Sequence, residues 1–481
     1  MQDSYGLVTD FYELTMTQGY FLEQNNPDVV FEMFYRSQPF QGGYSLFAGL
    51  QTLLEQIRSF TYREEDLAYL SSTGVFTPEF LNYLRNFSFT GDIYSMPEGT
   101  VVFPGEPLIR VHAPLIEAQL IESFLLNIIN FQTLIATKTS RVLHASKGGK
   151  ILEFGLRRAQ GLDGALSATR ASYIGGAMGT SNTWAGGRFN IPVMGTMAHS
   201  WVMTFDNELD SFRRFAQHYP DNAILLIDTY DTLTSGLPHA IIVGKELKKK
   251  GKRIGVRIDS GDLSYLSKRV RQALDRAGLE DATITVSNDL NEEIIHQLVS
   301  DGSPIDSWGV GTHLVTGGSQ AAMNGVYKLA ARQLPGGEFK PTMKLSNNLE
   351  KTTNPGIKQV YRFYWEQEAL ADLITLDHEP TDERRTYTFH HPMIDQDYFQ
   401  LPKTGFTSVM PLLKQVMSEG HIIGTPPTLE EMRTYAQQQL NTLERSYTRI
   451  VNPHIYKVSI STELKKLKTA MIKEYRKRMK S

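Results

Sequence analysis

The segment GTMAHSWVM, residues 195–203, follows the apolar run Ile191 to Met194 and sets His199 just past the end of an expected buried strand. An imidazole can serve as nucleophile, general base or ligand at neutral pH. Taken alone, a histidine beside Ala198, Ser200 and Trp201 reads first as a structural residue. Repetition changes that. Short β-prone runs recur at 150–154, 191–195, 223–228, 253–259, 283–289, 305–312 and 326–331, and several end in polar or glycine residues. The separators, such as LDSFRRFAQHY and SYLSKRVRQALDRAG, have the length and pattern of helices or long loops. Strands alternating with helices of that length imply parallel pairing.

Runs such as ILLI and IGV are continuously apolar, as the strands of a barrel covered on both faces must be. Their polar ends then converge on one face, where such folds hold their chemistry. That face would carry Glu153 and Arg157, Thr196 and His199, Asp228 and Asp231, Arg257 and Asp259, Asn288 and Asp289, Gly311 and Thr312, and Lys328. Arginines, carboxylates, a histidine and a glycine turn suit a phosphorylated, metal-bound substrate better than an apolar one. Any single aspartate among Asp231, Asp262 and Asp289 could instead cap the helix that follows it. Caps explain the whole set less well.

Bulk properties exclude other classes. A chain of 481 residues, 41% hydrophobic, is long enough for two or three domains with substantial cores. Its formal net charge of -3 gives no electrostatic footprint for nucleic acid. It has no cysteine, which removes disulfides, thiolate catalysis and thiolate metal sites. The first residues lack a cationic segment followed by an apolar core, so no signal peptide is expected. The apolar stretch at 120–136 is broken by Glu122, Asn127, Asn130 and Gln132 and reads as a buried helix, not a membrane span. A cytoplasmic protein without membrane or nucleic-acid partners is the expectation.

The elements that must position these residues sort into three regions. Residues 1–136 read as an α+β domain: a helix from Tyr5 to about Asn25, a strand at 29–36, helices near 46–60 and 64–86, then tight antiparallel turns at 91–114. Residues 137–343 read as the α/β barrel. Residues 344–481 read as a C-terminal region that returns in part to the first domain. It begins with a polar stretch and a TTNPG turn, and its tail at 461–481 is a helix with a basic, solvated face. No GxxxxGK[ST] loop is present, and GVGTHLVTGG does not complete a dinucleotide fingerprint, so any ATP binds by another geometry. Neither HxxxH nor HExxH occurs, and His390 and His391 are placed on a surface loop.

EFGLRRAQG (153–161), GTSNTWA (179–185), GTMAHSWV (195–202), DTYDT (228–232), VRIDSGD (256–262), SNDL (287–290) and GVGTHLVT (309–316) resemble, in order, the active-site motifs of the nicotinate phosphoribosyltransferase family. TDFYELTM (9–16) and KTTNPGIKQVYR (351–362) are similar to its flanking segments. The resemblance implies a type II phosphoribosyltransferase fold, an irregular α/β barrel beside an α/β sandwich domain, working as a homodimer with shared active sites. It implies the joining of nicotinate to 5-phosphoribosyl-1-pyrophosphate in NAD biosynthesis, with Mg²⁺ and with ATP as co-substrate. Breaking the bond from ribose C1 to pyrophosphate builds positive charge on the sugar and negative charge on the leaving group, which calls for cationic donors and a metal. By the same resemblance His199 is phosphorylated by ATP, and Thr196 and Arg257 hold nicotinate or a neighbouring phosphate. Tyr12 of a partner subunit and Phe154 sandwich the pyridine ring, although Tyr12 in isolation reads as a core aromatic. Arg157 is implied as an anion contact, Asp259 as a catalytic carboxylate that engages the ribose hydroxyls, Asn288 as a substrate contact and Asp228 as the Mg²⁺ residue. Gly311 and Thr312 would donate to the 5-phosphate.

Nicotinamide-using relatives carry an acidic residue after the Gly-Thr of the GTSN segment, where this chain has Ser181. A hydroxyl can donate to a carboxylate that an aspartate would repel, which favours nicotinate. Outside this family, a sugar-phosphate aldolase on a regular barrel would use Lys328 as a Schiff-base lysine, but leaves His199, Tyr12 and GTSN unexplained. A catalytically silent scaffold would tolerate loss of the strand-end arginines and acids, and their density argues against it.

Overall fold

The computed structural model describes residues 5–346, 351–382, 385–394 and 396–478. The polar stretch expected after residue 344 lies partly, and the last residues of the tail wholly, outside the described residues. The chain divides into two compact units, one of residues up to Leu134 together with those from Ala322 onward, the other Ile135–Ala321.

In the first unit, Asp28–Tyr35 is buried on both faces, and its alternating Val, Phe and Met side chains account for that. It lies inside an antiparallel seven-stranded sheet in the order 339–341, 325–333, 28–35, 109–114, 92–95, 414–418, 421–422. A six-stranded sheet is built from C-terminal residues, with Lys358–Trp365 and Glu368–Leu376 as its central hairpin. The strand expected after TTNPG is that hairpin's first arm. Helices Phe11–Leu22, Leu50–Arg58, Glu64–Ser72 and Pro78–Arg85 contribute Leu14, Leu53, Leu67 and Phe80 to the core. Thr77 caps the last of these through Phe80 N–H, and Pro78 sits at its first position, where no amide hydrogen bond is lost.

Two expectations change here. The run at 326–331 is not a barrel strand: Gly325–Gln333 pairs antiparallel with Asp28–Tyr35 in the first unit. Lys328 is therefore not on a barrel strand. Its Nζ donates to Tyr327 O at 2.7 Å and lies 3.7 Å from Glu122, which removes the physical basis of the aldolase reading. His390 is not on a loop either. It ends the strand Tyr387–His390 with Nε2 3.1 Å from Thr462 Oγ1, while His391 Nδ1 accepts from Met393 and Ile394 N–H.

Glu13, next to Tyr12 on the first helix, is fully buried and accepts from Thr9 and Ser123 hydroxyls. Burial pushes its carboxyl up to about 7, against those two hydrogen bonds and with help from Glu122 and Asp10. An acid raised in this way binds more protons folded than unfolded. The stability it contributes is present below about 4.5 and is lost as pH rises through about 7. Denaturant midpoints of the wild type and Glu13→Gln, measured from pH 4 to 8, should show the wild type losing ground to the variant across that interval. Parallel pH curves would remove the assignment.

The second unit is the expected α/β element, as an irregular barrel without ladder closure. Its parallel sheet runs in the order Gly179–Thr180, Lys150–Glu153, Ser307–Val310, Thr283–Ser287, Gly255–Ile258, Ile224–Leu226. The run at 191–195, expected as a buried strand, makes one parallel bridge, Thr180 to Val193, and Pro192 and Val193 are exposed. Among the described residues no ladder joins this segment to Ile224–Leu226. Helices Glu208–His218, Leu237–Lys248, Leu263–Arg276 and Glu292–Ser300 occupy the expected separators. Their caps are Asn207, Asp262 and Asn291 for the first, third and fourth. Asp262 is thus a cap. Asp231 is one too, accepting from Leu233 N, Thr234 N and the Thr234 hydroxyl, which hold its carboxyl below the usual range. Asp289 caps nothing here and sits with Asn288 in a turn of positive φ, 28° and 87°. No helix among the described residues is long and apolar enough to cross a membrane.

Candidate active site

The carboxyl ends of the parallel strands bring together Thr196, His199, Asp228, Arg257 and Asp259 through a continuous set of polar contacts. Arg257, in the strand Gly255–Ile258, is the hub. Its Nε donates to Ser287 Oγ at 3.0 Å and its Nη1 to Thr196 Oγ1 at 3.0 Å and Met197 O at 3.3 Å. Nη2 donates to Asp259 Oδ1 at 3.2 Å. A guanidinium offers five N–H groups, so these contacts leave one Nη2 proton for an anion. The side chain is 15% exposed, which raises the value of each of its charge-assisted bonds. Arg257 also spans the side of the sheet that lacks a ladder, since Thr196 and Met197 follow the single-bridged segment.

Asp228 follows the strand Ile224–Leu226, and its carboxylate is 2% exposed. Oδ2 accepts from Asp259 N at 2.9 Å and Ser260 Oγ at 2.6 Å. Oδ1 makes no hydrogen bond and faces His199 Nε2 at 3.4 Å. His199, at the start of the short helix His199–Met203, keeps 40% of its side chain exposed. Nε2 is thus the ring nitrogen turned toward the Asp228 carboxylate. Thr229 Oγ1, the next residue's hydroxyl, is also buried without a partner.

On the neighbouring strands, Glu153 is buried and is an organiser of the local backbone. Its carboxylate accepts from Gly155 N, the Thr169 hydroxyl at 2.9 Å and the Thr180 hydroxyl, tying Lys150–Glu153 to a helix and to the next strand. Ser181 N–H donates to Glu153 O at 2.9 Å, and the half-buried Ser181 hydroxyl has no partner among the described residues. Phe154 is half-buried, and its ring lies against Gly309. Asn288 is exposed at the end of Thr283–Ser287, in a left-handed conformation uncommon outside glycine and often seen where backbone strain serves a site. Gly311 precedes the one-turn helix Thr312–Val315, with Thr312 exposed at its start.

Arg157 and Tyr12 take no part in the hydrogen bonds described above. Arg157 is exposed in the turn Leu156–Arg158. Tyr12 belongs to the first unit, 48% exposed on its helix, with its phenol pushed up by partial burial and by Glu122, Glu13 and Asp10. Conversely, Ser260 and Ser287 join the cluster without having been singled out. Ser287 donates to Asp259 while accepting from Arg257. Its signal was its place directly before Asn288 at a strand end.

Among the described residues no three His, Asp or Glu side chains form a metal cage. Mg²⁺ held by one or two carboxylates and by substrate phosphates needs no such cage. Asp228 Oδ1 and the Thr229 hydroxyl, neither of which makes a hydrogen bond among the described residues, are oxygen donors of the kind that ion takes.

Comparison with known proteins shows the family. Sequence profiles described as the nicotinate phosphoribosyltransferase N-terminal domain, family and C-terminal domain match residues 7–130, 149–379 and 357–468. The chain is 41% identical over 480 residues to the nicotinate phosphoribosyltransferase of Bacillus subtilis, covering 99% of this chain and 97% of that protein. It is 35% identical to the Caenorhabditis elegans nicotinate phosphoribosyltransferase, covering 95% and 92%. The crystal structure of human nicotinic acid phosphoribosyltransferase superposes with a TM-score of 0.84 at 30% identity, covering 96% of this chain and all of that one. This chain belongs to the nicotinate phosphoribosyltransferase family.

Proposed function

We propose that this protein joins nicotinate to 5-phosphoribosyl-1-pyrophosphate, giving nicotinate mononucleotide and pyrophosphate for NAD synthesis, and couples the step to ATP hydrolysis through His199. The observation that carries the proposal is the circuit from His199 through Asp228, Asp259 and Arg257 to Thr196. The pyridine nitrogen attacks ribose C1, the bond from C1 to the pyrophosphate oxygen breaks, and pyrophosphate leaves with the bonding pair. Arg257 and the Thr196 and Ser181 hydroxyls are donors suited to the nicotinate carboxylate or an adjacent phosphate oxygen. Phe154 supplies one face for the ring, and Tyr12 of a second subunit supplies the other in a homodimer. Asp259 and Asn288 serve the ribose, Gly311 and Thr312 the 5-phosphate, and Arg157 an outer anion contact. Asp228 would hold Mg²⁺. When bound, that ion neutralises the pyrophosphate as charge develops there.

In the coupling half-reaction His199 Nδ1 attacks the γ-phosphorus of ATP and the bond to ADP breaks. Water then hydrolyses the phosphohistidine. Asp228 Oδ1 stands 3.4 Å from Nε2 and would orient the ring by closing on Nε2–H, the role a carboxylate plays behind other catalytic histidines. ATP and phosphoribosyl pyrophosphate are intracellular metabolites, so this function carries a cytoplasmic location.

The test follows nicotinate mononucleotide formation with Mg²⁺, with and without ATP. The wild type should be stimulated by ATP, and His199→Ala should keep a basal rate and lose the stimulation. Reaction of nicotinamide in place of nicotinate would overturn the assignment at Ser181. Reaction of neither would overturn the function.

A further inference from the structure

We infer that Gly309 is a positioning residue that sets where the Phe154 ring stands relative to the Arg257, Ser287 and Asp259 cluster. This rests on the reading of Phe154 as one face of the pyridine slot. Gly309 lies in the strand Ser307–Val310, every residue of which is buried. It pairs with Leu152 on one side and Ser287 on the other. Its backbone does not need glycine, because its φ lies outside the left-handed range. The requirement is space. A Cβ built at Gly309 would stand 2.6 and 2.7 Å from two ring carbons of Phe154 and 3.2 Å from Ser287 Cβ. Contacts under 3.0 Å do not occur in packed proteins, so one of these neighbours would have to move.

The neighbour free to move is the ring. Ser287 is 4% exposed and its hydroxyl is committed to Asp259 and Arg257, whereas Phe154 is half-buried and follows the last residue of its strand. Side chains alternate across a strand. Glu153 points to the helix side, where it meets Thr169, so Phe154 points to the other face, together with the Gly309 position and Ser287. The missing side chain thus lets the ring lie across the strand and approach Ser287, and through it Arg257 Nε at 3.0 Å. The gap between an aromatic plate and a fixed guanidinium decides whether a planar aromatic acid can stack and be held by its carboxylate at once. A methyl group at residue 309 widens or tilts that gap, with a lesser contact on Ser287 Cβ at 3.2 Å.

The test is a double-mutant cycle on the full chain: wild type, Gly309→Ala, Phe154→Ala and the double variant, each with kcat, KM for nicotinate and KM for phosphoribosyl pyrophosphate, and a thermal melt. Gly309→Ala is expected to raise KM for nicotinate about tenfold, with kcat and the other KM within about threefold, as overpacking one methyl against a ring predicts. With Phe154 already Ala, the same change should add less than about twofold, because the clashing atoms are gone. A folded Gly309→Ala with unchanged KM overturns the inference. So does a full tenfold effect added to a Phe154→Ala variant whose own KM is raised. If Phe154→Ala leaves KM for nicotinate unaltered, the ring's role fails first and the inference fails with it. Should Gly309→Ala not fold alone, Phe154→Ala and the double variant decide. Equal melting temperatures and equal KM values support the inference, and an unfolded double variant overturns it.

Discussion

Replacing Asp228 by Ala is expected to lower kcat/KM in the presence of ATP by about 10⁴-fold, the scale on which a buried carboxylate behind a catalytic histidine acts. The carboxylate is 2% exposed and one of its oxygens holds Asp259 N and the Ser260 hydroxyl. Its removal leaves those two donors unpaired and frees the His199 ring at the same time. Asp228→Asn separates the two roles. The amide oxygen can still accept from Asp259 N and Ser260, but its NH₂ group now faces His199 Nε2 and demands the opposite tautomer, which puts the proton on Nδ1. The Asn variant should therefore melt near the wild type and yet lose ATP stimulation as completely as Ala does. Retained stimulation in a folded Asn variant would show that Asp228 does not set the tautomer.

Arg257→Lys is expected to lose at least about 10²-fold in kcat/KM, nearly as much as Arg257→Ala, because breaking a buried charge-assisted pair costs roughly 2–5 kcal/mol. The guanidinium reaches Ser287, Thr196, Met197 O and Asp259 in four directions from one plane. An ammonium on a flexible stem carries the same charge and reproduces one or two of them. The loss should appear mainly in KM for nicotinate, read by steady-state kinetics and by direct nicotinate binding. A lysine variant within about fivefold of wild type would mean that charge alone matters there. The circuit geometry would then be incidental.

The sequence alone determined the local elements of the catalytic unit. Caps such as Asp262, and apolar runs such as ILLI, are written in neighbouring residues, so helices and strands at 224–310 follow from short-range patterning. The order of the motifs likewise sufficed to indicate the family. Tertiary structure decided everything that depends on long-range pairing. The run VYKLAA has the composition of a barrel strand, but it finds its partner at Asp28–Tyr35, about 300 residues away in sequence, and no local signal records that choice. IPVMG reads as a buried strand, whereas one bridge to Thr180 and an exposed Val193 leave it at the open side of the sheet. The two-residue strand Gly179–Thr180 is too short to carry a periodicity at all. The same limit applies to the site. Residue types at strand ends can name Arg257, Asp228 and His199, but which atoms meet is set by strand register. Register is what places Ser287 between Arg257 and Asp259 and leaves room for the Phe154 ring above Gly309.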